Sequence, residues 1–277
     1  MGFWTDKRVF LSGGSKGIGR EAALQLAKLG ARVAIAARGQ GALDATLAEL
    51  NAIGGTHTAV SVDICDSAAV KEAVDTAAAT LGGLDVLICN AGYAHTGPVL
   101  DAPEGQFQDL LNVNYLGHVH LVRAAGPHLK ASKGHISLVS SMLGFMSVWG
   151  YGAYSGSKFA IAGLAEALRQ ELLLDGVTVT VFYPPTTETP GLELENEDKH
   201  PIIWAIESEN SFTKTYQADV VATAILRSVE SGRFENCIGW DSWAVLYARR
   251  VFPAIFRYLA DQELRAAAKK AAAAPTP

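Results

Sequence analysis

The chain has 277 residues, 49% of them hydrophobic and 18% charged, with a formal net charge of −5. That length suits one open α/β unit with a large buried core and excludes disorder over most of the sequence. The acidic balance, with no long Lys/Arg run, gives no electrostatic footprint for nucleic acid.

The first residues, Met1 to Arg8, pass into an apolar strand without a charged-then-apolar leader or room for a spanning helix, and read as the start of a cytoplasmic protein. Arg8 to Ser12 and Arg32 to Ala36 are short apolar runs. Between them Ile18, Ala22, Leu26 and Leu29 recur at helical spacing, which makes a βαβ unit. Further strands are predicted near Thr58 to Val62, Asp85 to Cys89, His135 to Ser140 and Val177 to Tyr183, with helical stretches between. This alternation predicts a single-domain, Rossmann-type, doubly wound parallel sheet over residues 1–240. Gly54-Gly55 and Gly82-Gly83 follow helical stretches, where glycine supplies a left-handed cap.

Cys65, Cys89 and Cys237 are too few and too far apart for a disulfide framework or a Cys-x-x-Cys site, so all three are expected reduced and buried. His118 and His120 stand two apart, which on a helix gives them different faces and argues against a metal pair. No metal is expected.

Gly13-Gly14-Ser15-Lys16-Gly17-Ile18-Gly19 follows a strand and opens a helix. Its glycines permit close backbone approach, and the helix start offers N–H groups and a positive dipole end to a phosphate. Asp63 and Ile64 follow the third strand, Asn90-Ala91-Gly92 the fourth, and Tyr154 stands four residues before Lys158, on one helical face. Glycine loop, acidic residue, Asn-Ala-Gly and Tyr-x-x-x-Lys in this order resemble the short-chain dehydrogenase/reductase family over nearly the whole chain.

The resemblance implies a nicotinamide cofactor held by Gly13, Ser15, Lys16, Gly17, Ile18, Gly19, Asp63, Ile64, Asn90, Ala91 and Gly92. Ala37 occupies the position where an acidic side chain would meet a ribose 2′-hydroxyl, and Arg38 follows it. A guanidinium fork there, with Lys16, suits a 2′-phosphate and favours NADPH; the plainer alternative is two solvated surface charges. The resemblance also implies a catalytic tetrad. Tyr154 gives its proton to the carbonyl oxygen, and Lys158 binds the nicotinamide ribose and lowers the pKa of Tyr154. Ser141, preferred to Ser140 on spacing, hydrogen-bonds the substrate carbonyl. Asn114, on the preceding long helix, links Lys158 to a water chain.

After the sixth strand the family reads Pro-Gly and then Thr; here Pro184 is followed by Pro185, and Thr187 and Thr189 complete the cofactor positions. The stretch from Tyr183 to Lys199 is similar to the Pro-Pro-x-Thr-x-Thr-Pro-Gly and Glu-Asn-x-x-Lys pattern of 3-ketodihydrosphingosine reductases, departing at Thr186, where those enzymes commonly carry Asp. That likeness implies a long-chain, lipid-like ketone as substrate, with a ketosteroid or a 3-oxoacyl thioester as alternatives. Without it, the stretch reads as a rigid Pro-rich turn and a solvated acidic helix start. A non-catalytic NADPH sensor is a further alternative, against which stands the retention of both Tyr154 and Lys158.

Residues 241–264 gather aromatic and aliphatic side chains around Arg249, Arg250 and Arg257. Arginines and Pro253 argue against a bilayer span, leaving a peripheral membrane contact, a subunit interface or a core helix. The family resemblance implies a homodimer or homotetramer. Residues 265–277, rich in Ala, are expected to fray into a disordered tail.

Overall fold

A computed structural model describes residues 2–209 and 214–273 of the chain. In chain order the first half runs β1 (Arg8–Ser12), α1 (Gly17–Lys28), β2 (Arg32–Ala37), α2 (Gln40–Ile53), β3 (His57–Ser61), α3 (Ser67–Leu81), β4 (Val86–Cys89), α4 (Glu104–Leu111), a π-helical turn (Asn112–Leu116) and α5 (Gly117–Ser132). The second half runs β5 (His135–Val139), a 3-10 turn (Met142–Gly144), α6 (Gly152–Glu171), β6 (Thr178–Tyr183), β7 (Thr187–Glu188), α7 (Pro190–Glu197), α8 (Pro201–Glu209), β8 (Tyr216–Gln217), α9 (Ala218–Ser231), β9 (Glu235–Cys237), α10 (Gly239–Val251) and α11 (Pro253–Ala273).

Seven strands form one sheet in the order β3-β2-β1-β4-β5-β6-β9, and every neighbouring pair is parallel. Both faces are covered, and the pleat decides which side chain goes where. Val9 and Leu11 of β1, with Val86 and Ile88 of β4, pack toward α1 and α9. Phe10 of β1 and Leu87 of β4 point the other way, onto α3, α5 and α6. With both sides buried, these strands read as unbroken apolar runs. Each fully buried Leu or Phe contributes roughly 1.5–3 kcal/mol of transfer free energy.

Helix ends follow their local chemistry. Asp66 caps α3, its side chain accepting from the N–H groups of Ala68 and Ala69, and Gly82 closes that helix at φ 84°, ψ 24° in the left-handed region. Gly54, after α2, has φ 95° but ψ 162°, so it ends its helix without the left-handed cap expected of it.

Three features differ from the sequence reading. Asn114 lies in the π-helical turn, not in regular helix, and the wider turn turns its side chain into the core. The run from Arg265 continues α11 to Ala273 because Ala267 is fully buried against α8, beside Leu264 and Ala271; residues 274–277 lie outside the described residues. Of the cysteines only Cys89 is fully buried, while Cys65 and Cys237 are partly exposed; all three are free. Burial pushes the Cys65 thiol up to about 11 and the Cys237 thiol up to about 12.

Candidate active site

The strand order reverses between β1 and β4, and the crevice beyond the carboxyl ends of such strands is where doubly wound sheets bind ligands. A cleft of about 810 Å³ opens there. One half is walled by the glycine loop, Arg38, Asp63, Ile64 and Asn90 to Gly92, the other by Ser141, Tyr154 and the α7–α8 segment, with Lys158, Pro184, Thr187 and Thr189 between.

In the first half, close packing explains the glycines. A Cβ on Gly19 would stand 2.1 Å from the carbonyl oxygen of Gly13, and one on Gly13 would stand 2.9 Å from the α-carbon of Ala91. Gly17 has φ +52° and faces Thr189. Lys16, the cap residue of α1, makes no side-chain cap, and the first turn of the helix carries no acidic residue. The loop therefore presents uncapped N–H groups at a positive helix end, a cradle that fits the pyrophosphate of a dinucleotide. Arg38 and Lys16 are exposed on the cleft, and neither forms an ion pair among the described residues. Free cations there fit a 2′-phosphate.

The strand ends are tied together behind this loop. Ser12 Oγ accepts from the N–H groups of Asn90 at 3.0 Å and Ala91 at 3.1 Å, while Asn90 Nδ2 donates to the carbonyl of Ser12 at 3.2 Å. Asp63 accepts from the N–H of Cys65 at 2.9 Å, fixing the turn after β3. His118 and His120, with no evident role in the sequence, hold these same loops from α5: His118 Nε2 meets the carbonyl of Ala91 at 2.8 Å, and His120 Nδ1 that of Ile64 at 2.9 Å. Burial pushes His118 down to about 3, so it holds Ala91 as a neutral imidazole.

In the second half, Tyr154 and Lys158 lie one turn apart on α6, with Lys158 Nζ 5.7 Å from the Tyr154 ring centre. Burial lowers Lys158 to about 8. Burial raises Tyr154 to about 12; a hydrogen bond with Ser141 pulls it back down in part, and the charge of Glu195 adds to the rise. The expected lowering of Tyr154 is not seen here, because burial dominates and moves it up. Ser141, the cap of the 3-10 turn, accepts from the N–H of Leu143 at 3.1 Å. Ser140, by contrast, donates its hydroxyl to the carbonyl of Lys158 at 2.9 Å and is consumed in joining β5 to α6.

Asn114 does not line the cleft. It is fully buried, donates to the carbonyl of Tyr93 and to Ser157 Oγ, each at 3.0 Å, and accepts from the N–H of Tyr93 at 3.0 Å. Asn114 and Lys158 both approach Gly92: a Cβ there would meet Asn114 Oδ1 at 2.8 Å and Lys158 Nζ at 3.4 Å. Thr189 Oγ1 caps α7, accepting from Leu192 N–H at 3.2 Å, and Thr187 Oγ1 donates to the carbonyl of Pro185 at 2.8 Å.

Residues 7–200 match the family model described as short chain dehydrogenase. The chain belongs to the short-chain dehydrogenase family. It is 36% identical over 241 residues to a 3-ketodihydrosphingosine reductase of Bos taurus, covering 85% of this chain and 72% of that one. It is 37% identical over 235 residues to a 3-dehydrosphinganine reductase of Arabidopsis thaliana, covering 82% and 68% of the two chains. Among solved structures, a short-chain dehydrogenase/reductase of Burkholderia phymatum in complex with NAD superposes with a TM-score of 0.79 at 24% identity, covering 90% of this chain and 95% of that one. The chain is thus an oxidoreductase of this family, with its doubly wound fold.

Sequence reasoning gave no role to three residues on the wall opposite the glycine loop. Tyr151, Glu195 and Glu207 line the cleft beside Tyr154, and Tyr151 donates to Glu195 at 2.5 Å and lies 3.0 Å from Glu207. The one signal was the four-residue spacing of Glu195 and Lys199, which pair at 3.1 Å. Among the described residues no group of three or more His, Cys, Asp or Glu could hold a metal, and no helix is long and apolar enough to cross a membrane.

Proposed function

We propose that this enzyme reduces the C3 ketone of a long-chain sphingoid base, 3-ketodihydrosphingosine, to the alcohol, using NADPH. The observation that carries the chemistry is the Tyr154–Ser141 hydroxyl pair, set beside buried Lys158 in the same cleft as the glycine loop. Likeness to two reductases named for this substrate supports the choice of ketone.

A nicotinamide held by the glycine-loop half of the cleft would supply hydride to the carbonyl carbon. Ser141 and Tyr154 both donate hydrogen bonds to the carbonyl oxygen, stabilising the negative charge that grows there. Tyr154, with its pKa raised to about 12, is a protonated phenol at neutral pH and gives its proton as the alkoxide forms. Lys158 anchors the cofactor ribose, and Asn114 fixes the backbone of Tyr93 alongside it. Arg38 and Lys16 select the 2′-phosphate.

The lipid character of the substrate fits the walls. Leu143, Met146, Trp149, Ile203 and Ile206 give the substrate half an apolar lining. On the C-terminal segment Trp240, Phe252, Ile255, Tyr258 and Leu259 are 82%, 57%, 59%, 63% and 47% exposed. Arg257 is exposed among them, which suits docking on an anionic membrane surface, from which a long-chain ketone would be drawn.

NADPH oxidation by purified protein in detergent tests this, with the sphingoid ketone run beside a ketosteroid, a 3-oxoacyl thioester and Tyr154→Phe. Turnover of the sphingoid ketone, lost in the variant, is expected. Turnover of another ketone alone would keep the family and discard the substrate.

A further inference from the structure

The wall opposite the glycine loop carries a charged cluster. Lys199 Nζ donates to both oxygens of Glu207 at 3.0 Å and lies 3.1 Å from Glu195 Oε1. Its side chain is 0% exposed, and that of Glu195 only 10%. The Tyr151 hydroxyl donates to Glu195 and stands 3.0 Å from Glu207, and its ring centre is 6.2 Å from that of Tyr154. Lys199 is not among the residues lining the cleft, whereas both glutamates are.

The arrangement is unbalanced. Two carboxylates share one ammonium and one phenol, a formal charge of about −1, on a wall where Glu195 is nearly buried and Glu207 is 29% exposed. Tying α7 to α8 would need only one of the two acids with Lys199. The second carboxylate shares that cation instead of having one of its own, and a cation arriving from the cleft side would complete the cluster. The negative charge also reaches the reaction centre, since Glu195 acts on the Tyr154 hydroxyl.

We propose that Glu195 and Glu207, backed by Lys199 and positioned by Tyr151, bind the ammonium group on the carbon next to the substrate ketone. The inference rests on the sphingoid-ketone reading, because that substrate is a 2-amino ketone, and it names what would set the substrate apart from other long-chain ketones. An ammonium held against the cleft side of these carboxylates would fix the neighbouring carbonyl relative to Tyr154 and Ser141. It also makes the chain discriminate by charge where an apolar tunnel alone would discriminate only by length.

The test compares kcat/KM for 3-ketodihydrosphingosine with that for the same chain lacking the C2 amine, in wild type, Glu195→Gln and Glu207→Gln. The wild type is expected to prefer the amine by about 10- to 100-fold, and each isosteric variant to bring that ratio down toward one. An adjacent ammonium activates a ketone intrinsically, but equally in wild type and variant, so the fall in ratio reports the carboxylates. NADPH affinity, read by fluorescence, checks that the cofactor half of each variant is intact. Equal use of both ketones by the wild type, or a ratio unmoved in both variants, overturns the proposal and leaves the sphingoid reading standing. Turnover of a ketosteroid with neither long-chain ketone used overturns both.

Discussion

Lys158 Nζ donates to the carbonyl oxygen of Val139 at 3.2 Å, where α6 crosses the end of β5. Burial lowers this ammonium from 10.5 to about 8, so the folded chain holds its proton less tightly than the unfolded chain does. Between those two values the unfolded state binds more protons, and stability from this group rises with pH. Lys158→Met is therefore expected to be inactive yet to melt a few degrees higher at neutral pH, the gain vanishing above about pH 10.5. Thermal melts at neutral and alkaline pH measure it. A lower melting temperature for the variant at neutral pH would mean that the Val139 bond outweighs the burial.

Tyr154 should behave differently with pH. A phenol raised to about 12 keeps its proton through neutral and mildly alkaline solution, so ketone reduction is not expected to lose its proton donor there. Tyr154→Phe should lower kcat about 100- to 10,000-fold. A reduction profile that falls with an apparent pKa near neutrality and loses that limb in the variant would show that the bound cofactor shifts Tyr154 strongly downward.

Cofactor choice is expected to sit on Arg38. Replacing it with Ala removes a bidentate donor from the edge of the cleft, and KM for NADPH should rise about 10- to 100-fold while KM for NADH changes little. Lys16→Ala should act in the same direction and less strongly, as a point charge on a flexible stem. Equal loss with both cofactors would place Arg38 outside 2′-phosphate recognition.

The exposed face of α10 and α11 is expected to carry liposome binding. Serine at Phe252, Ile255, Tyr258 and Leu259, all exposed, should abolish flotation with anionic vesicles at little cost to folding. Persistent flotation would contradict membrane docking there. Loss of a dimer in size-exclusion chromatography would identify the face as a subunit interface instead.

The six long strands and the glycine loop were legible because each has a strong local signal: an apolar run bounded by turns, or a motif at a strand end. β9 was not, since Glu235–Cys237 is three residues long and lies at the sheet edge, paired only with β6. Nor were β7 and β8, two residues each, which pair across the α7–α8 segment. At the site, Tyr154, Lys158 and Ser141 all line the cleft. What the sequence hid were contacts to backbone: Ser12, His118 and His120 act on carbonyls and N–H groups of residues far away in sequence. Glu195 stood in the Glu-Asn-x-x-Lys pattern without a role, because nothing local indicates that Lys199 and Tyr151 would enclose it.

Ile206 belongs to two surfaces at once, the apolar lining of the cleft and the small cluster in which α8 meets Ala267 of α11. The last helix is therefore a buttress for the substrate wall as well as the carrier of the exposed aromatic face. A load applied to that helix would bear, through α8, on the apolar wall of the cleft. Trp149, which also lines the cleft and packs on that cluster, shares the role with Ile206, and shortening the chain before Pro253 would take the prop away from that wall.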